Sequence, residues 1–196
     1  MTNRLGLEPT GHNAGAPSLI DRARPILIFV GAIWVIHLLD LVLPLEQLGL
    51  VPRSFFGLTG IVTMPFLHGS FAHLISNTLP LIILLVLMVI SRPRPWTTMI
   101  LLTLISGVAL WLFGRPALHI GASGLIYALM GFLIAAGILE RRLVPAVVAL
   151  FVGVTYGMSI ISGILPGQPG VSWEGHLFGL LAGAGLAYTR VAWPRH

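Results

Sequence analysis

Ser123, His176, His73 and Asn77 are the residues of this chain whose types and spacing can do chemistry. Ser123 lies in Gly121-Ala122-Ser123-Gly124. A serine hydroxyl becomes a good nucleophile when a neighbouring base takes its proton. Histidine suits that task because its pKa lies near operating pH. Gly121 and Gly124 let other backbone approach closely, and a helix starting here would offer free N–H groups to an oxyanion. The motif is not the G-x-S-x-G elbow of soluble hydrolases, because the second residue after the serine is Leu125. His73 and Asn77 are four apart and share one helical face. They suit either oxyanion stabilisation or polar contact between helices. His68 precedes His73 by five residues and points about 140° away on a helix, so it is expected to cap the loop ahead of that helix. With no His-Glu-x-x-His motif and no cysteine, neither a metal nor a cofactor site is expected.

Tyr127, one turn beyond Ser123, either packs against the base or is an ordinary core aromatic. Among the carboxylates, Asp40 is expected near the outer end of a span and Glu174 at the surface. Neither is placed to complete a triad, which leaves a Ser–His dyad.

The elements that must position these groups are apolar. The 196 residues are 56% hydrophobic and 9% charged, with mean hydropathy +0.95, whereas soluble domains carry about 25% charged residues. The net charge of +5 does not point to nucleic acid, because the arginines that supply it are scattered between apolar runs rather than gathered on one face. A transmembrane helix needs roughly 20 apolar residues. Six such stretches are predicted at 25–43, 71–90, 96–113, 121–139, 143–165 and 173–188. Nine of the 11 basic residues fall on one side of these spans, with only Arg53 and Arg115 on the other. The positive-inside rule then places both termini in the cytoplasm. Spans two, four and six therefore start on the outer side, and their starts carry the three polar islands His68–Asn77, Gly121–Gly124 and Trp173–His176.

Spans four and six also carry small faces. Gly175, Gly179 and Gly183 recur at helical spacing, as do Gly124, Ala128, Gly131 and Ala135. Such faces let two helices pack closely, so the serine and histidine helices are the two suited to tight approach. Residues 1–24 read as a short polar, disordered cytoplasmic tail without a signal-peptide core, and 25–192 as a six-span domain. The segment 45–64 reads either as an element lying in the outer interface or as an ordinary connection.

Taken together, these residues resemble the rhomboid intramembrane serine proteases, over roughly residue 25 to the end. The resemblance rests on His68, His73 and Asn77 in span two, Gly121-Ala122-Ser123-Gly124 with Tyr127 in span four, and His176 with its glycine face in span six. It implies an all-α, six-helix membrane bundle of bacterial type, with Ser123 as nucleophile and His176 as general base and acid. It further implies an oxyanion hole from Asn77, His73 and the Ser123 N–H. The implied partners are membrane-anchored substrates and the lipid bilayer, in a bacterial cytoplasmic membrane with the site opening outward. The first outer loop departs from the family pattern, having Arg53 but no tryptophan beside it. No seventh span and no attached regulatory module are expected. The rival readings are a catalytically inactive rhomboid-like protein that binds membrane clients, and a small transporter. A transporter would instead show broken helices and charges along a path.

Overall fold

The computed structural model describes residues 18–192, and among these the regular elements are helices, beside one isolated β-bridge between Leu50 and His119. The elements are α1 (Leu19–Asp40), α2 (Gly60–Thr63), α3 (Phe71–Ser91), α4 (Pro95–Phe113), α5 (Ser123–Leu139), α6 (Leu143–Gly163) and α7 (Trp173–Ala192). Short 3-10 turns at Leu45–Leu48, Phe56–Leu58 and Met64–Phe66 fill the loop between α1 and α3. Four helices, α1, α3, α4 and α6, are long and apolar enough to cross a membrane. The fourth and sixth apolar stretches correspond to the 17-residue α5 and to the 20-residue α7, which includes Glu174 and Arg190.

The first helix starts earlier than hydropathy suggests. Ser18 Oγ accepts the Asp21 N–H at 3.1 Å, and the Asp21 carboxylate accepts the Ser18 N–H at 3.2 Å. This capping box satisfies orphan donors at the helix start, so α1 begins at Leu19 inside the polar segment expected to be disordered. The remainder of that segment, 1–17, lies outside the described residues.

At the centre sits α5, buried along most of its length and packed most extensively on α7, then on α6. The α5–α7 contact is backbone against backbone. A Cβ at Gly179 would overlap the Gly124 carbonyl, one at Gly183 the Ala128 carbonyl, and one at Gly131 the Leu180 carbonyl. The two small faces read from the sequence therefore meet each other. Outward-facing side chains on α1 and α6, including Leu27, Ile28, Leu150 and Val154, are apolar and exposed, as lipid-facing surface must be.

Polar contacts lock the far end of the bundle. Buried Arg92, at the end of α3, pairs with Glu140 at the end of α5 and lies 5.4 Å from the Phe132 ring centroid. Arg22 of α1 donates to the Arg92 carbonyl, and the Trp96 indole donates to the Arg22 carbonyl at 3.1 Å. At the near end, the loop between α1 and α3 is a folded element. Arg53 donates to the carbonyls of Gly114 at 2.8 Å and Leu112 at 3.1 Å, a cation on the free C-terminal carbonyls of α4. The Trp111 indole donates to the Ser54 carbonyl at 2.9 Å, so this loop is pinned by a tryptophan from α4 in place of one of its own. Phe55 and Phe56 stand exposed on its rim.

The glycine contact gives a direct test with an internal control. Gly183→Val is expected to lower stability in detergent melts by about 1–3 kcal/mol, the range for overpacking, because the opposing carbonyl is backbone and cannot rotate away. Gly185→Val, on the same helix with nothing within 4 Å, should show only the small propensity effect. Equal losses at both positions would refute a backbone-to-backbone seam.

Candidate active site

Ser123 is the first residue of α5, and its predecessor Ala122 supplies no side-chain cap. The first N–H groups of the helix are thus left without a capping side chain, as at any uncapped start. Ser123 is partly exposed. Among the described residues its side chain makes no hydrogen bond, so Ser123 and His176 are not bonded to each other in this structure. Catalytic hydrogen bonds are often long before substrate binds.

His176 lies in the first turn of α7 and is buried. Its Nδ1 is 2.8 Å from the Gly163 carbonyl oxygen. A carbonyl only accepts, so Nδ1 carries the proton and, in the neutral ring, Nε2 keeps a free lone pair. That is the tautomer a base for a serine hydroxyl requires. The ring stacks on Tyr127 with centroids 4.1 Å apart and planes within 1°. Tyr127 is fixed in turn by its hydroxyl, which donates to the Ser159 carbonyl at 2.5 Å. Gly163 is required here, since a Cβ would overlap the Tyr127 hydroxyl and come within 3.0 Å of His176 Nδ1. Tyr127 thus stacks on His176 and is also buried in the main core cluster.

His73 lies in the first turn of α3, with its N–H donating to Ser70 Oγ at 3.1 Å. Its ring lies over Gly121, where a Cβ would come within 2.6 Å of Nε2. Gly121 also has φ +110°, a left-handed conformation that favours glycine. Buried Asn77 gives one amide hydrogen to the His73 carbonyl at 2.8 Å, leaving its second hydrogen uncommitted. His68 is buried in the loop before α3. Its ring sits edge-on to His73 with centroids 5.0 Å apart. Its Nε2 accepts the Ala122 N–H at a long 3.5 Å. Through that bond it reaches the turn just before Ser123. His73 and His176 thus both lie against the first part of α5 and its entry, one at Gly121 and the other at Tyr127.

The carboxylates behave differently from each other. Asp40 accepts the Glu46 N–H at 2.9 Å and serves the turn after α1. Glu174 is not at the surface as expected. It is buried, 3.4 Å from Arg115 Nε, because α7 begins beneath the loop joining α4 and α5. Among the described residues, two histidines were not singled out from the sequence. His37 is buried in α1, edge-on to Phe71 at 4.7 Å, with neither ring nitrogen hydrogen-bonded. His119 is buried in the loop leading to α5. Among the described residues no three His, Asp or Glu side chains converge in a metal-binding arrangement.

The family model for the rhomboid domain matches residues 56–193. Similar curated proteins include uncharacterized proteins of Mycobacterium bovis and of Mycobacterium tuberculosis. Each is 36% identical over 193 residues, covering 92% of this chain and 80% of its own length. An uncharacterized protein of Mycobacterium leprae is 33% identical over 176 residues, covering 83% of this chain and 69% of its own.

Burial of His68 has a pH consequence. Desolvation, then the neighbouring His73 and His37, lower its pKa to about 4, against an imidazole value of about 6.5 in the unfolded chain. Between those values the unfolded state holds more protons, so this stability is complete above about pH 6.5 and is lost as pH falls toward 4. His119 is shifted in the same direction by burial. Melting temperature in detergent should therefore fall from pH 6.5 to 4, and His68→Gln should flatten that fall. An identical slope in the variant would show that His68 is not the group responsible.

Proposed function

The chain belongs to the rhomboid family, and we propose that it is an intramembrane serine endopeptidase working through a Ser123–His176 dyad. Family membership and the apolar helices make it an integral membrane protein. The observation that carries the catalytic reading is the state of His176. Its Nδ1 proton is held by Gly163, its face by Tyr127, and its helix by a glycine seam against the helix that begins with Ser123.

In this reading all six long helices span the bilayer of a bacterial cytoplasmic membrane. Both ends of the helical core face the cytoplasm, and the starts of α3, α5 and α7 face outward. A substrate transmembrane segment unwinds locally, because a hydrogen-bonded helix hides its carbonyls. Ser123 Oγ attacks the exposed carbonyl carbon while His176 Nε2 takes the hydroxyl proton. The resulting oxyanion is met by the uncapped N–H groups of α5, His73 and the second amide hydrogen of Asn77. Collapse of the tetrahedral intermediate breaks the C–N bond, and His176 returns its proton to the leaving amine. Water, deprotonated by His176, then hydrolyses the acyl-enzyme and frees Ser123.

One observation favours a second reading, an inactive rhomboid-like client binder: Ser123 and His176 are not hydrogen-bonded in this structure. Cleavage of a tagged single-span substrate in liposomes decides between them. Wild-type protein should cut, and Ser123→Ala and His176→Ala should abolish cutting. Asn77→Ala should lower the rate about 100- to 1000-fold, as loss of one oxyanion donor does. Substrates with Gly or Pro near the outer interface should be cut faster than a poly-Leu span. Binding of clients without cleavage by any form would establish the second reading.

A further inference from the structure

Arg115, His119, Ser172 and Glu174 form a second polar cluster where the chain enters α5 and α7, which the scheme above does not use. His119 lies four residues before Ser123, and Ser172 lies four before His176. His119 is only 2% exposed. Its Nε2 is 3.2 Å from the Arg115 carbonyl and its Nδ1 is 2.6 Å from Ser172 Oγ. Since the carbonyl only accepts, Nε2 carries the proton, and Nδ1 of the neutral ring accepts from the Ser172 hydroxyl. Ser172 Oγ in turn accepts the Gly175 N–H at 3.3 Å, and the Ser172 carbonyl accepts the His176 N–H at 3.1 Å. Ser172 thereby caps the first turn of α7.

The backbone of His119 is held from another direction. Its N–H donates to the Leu50 carbonyl at 2.8 Å and its carbonyl accepts the Leu50 N–H at 2.9 Å. Arg115 adds a bond to the Val171 carbonyl at 3.0 Å and the ion pair with Glu174. The segment entering α5 is thus tied to the residues entering α7 by a hydrogen bond between two anchored partners. The glycine seam sets how close the two helices lie. The His119–Ser172 bond adds a directional tie between the segments entering them, at the end where the dyad sits.

We propose that His119 and Ser172 are a positioning pair for the hydrolysis, setting the register of the first turn of α7 against α5 and so the approach of His176 to Ser123. This rests on the dyad reading above. A displacement of about 1 Å can cost roughly 100-fold in rate, so the pair acts on turnover rather than on substrate affinity.

The test is a double-mutant cycle in liposomes with His119→Phe, Ser172→Ala and both, read as separate kcat and KM values beside detergent melts. Each single change should lower kcat about 10- to 100-fold with KM within two-fold. The double change should be no worse than the poorer single, because either one breaks the same bond. Ser172→Thr, which keeps the hydroxyl, should restore most of kcat. If His119→Phe does not fold, His119→Gln carries the same comparison. Unchanged kcat in an active protein, losses that multiply, or losses confined to KM would overturn the pair. A wild type no more active than Ser123→Ala would instead overturn the dyad reading on which it stands.

Discussion

Gly179 and Gly183 of α7 face the carbonyls of Gly124 and Ala128 on α5 with no room for a side chain between them, and the rest of the structure depends on that contact. In a bilayer, lipid tails are as apolar as any helix surface, so helices gain little from hydrophobic burial against each other. Close van der Waals approach through small residues holds them instead. Here the contact places the first turns of α5 and α7 side by side, which are the turns that carry Ser123 and His176. Larger residues would push the helices apart and separate those turns. Tyr127 could then no longer touch the His176 ring and reach the Ser159 carbonyl from one position on α5.

A polar site in an apolar bundle needs its groups individually satisfied, since an unpaired buried polar group is costly. His176 gives its proton to Gly163, and Asn77 gives one hydrogen to the backbone of its own helix. Each bond leaves one function free: a lone pair on His176 and a second N–H on Asn77. Both ends of the bundle are closed by charged pairs that join helices distant in sequence, Arg92 with Glu140 at one and Arg115 with Glu174 at the other. These pairs tie the helix ends so that the polar site need not carry the packing.

Much of this was legible in the sequence because it is local. Polar islands at the starts of apolar stretches, glycines at helical spacing and the pairing of His73 with Asn77 are patterns within one helix. What was not legible depends on which loop lies over which helix. Glu174 reads as a surface acid because its neighbours in sequence are a loop and a span start, yet the Arg115 loop folds over it. His119 lies between an arginine-proline turn and the serine island, and its contact with Ser172 joins residues 53 positions apart. The fourfold spacing of His119 to Ser123 and of Ser172 to His176 was the available signal. His37 sits alone in an apolar run, and nothing in its own helix announces that its ring packs on Phe71. The start of α1 was missed for a simpler reason: the Ser18–Asp21 cap is polar, and hydropathy marks where a span turns apolar rather than where its helix begins.

The most direct test of the dyad is chemical and needs no knowledge of the natural substrate. A fluorophosphonate bonds covalently to a serine oxygen only when a base activates it, and peptide mapping of the adduct identifies which serine reacted. The expected result is a single adduct on Ser123 that disappears in His176→Ala while that variant still melts as a folded protein. An adduct on another serine, or labelling of Ser123 that persists without His176, would contradict the assignment of these two residues as nucleophile and base.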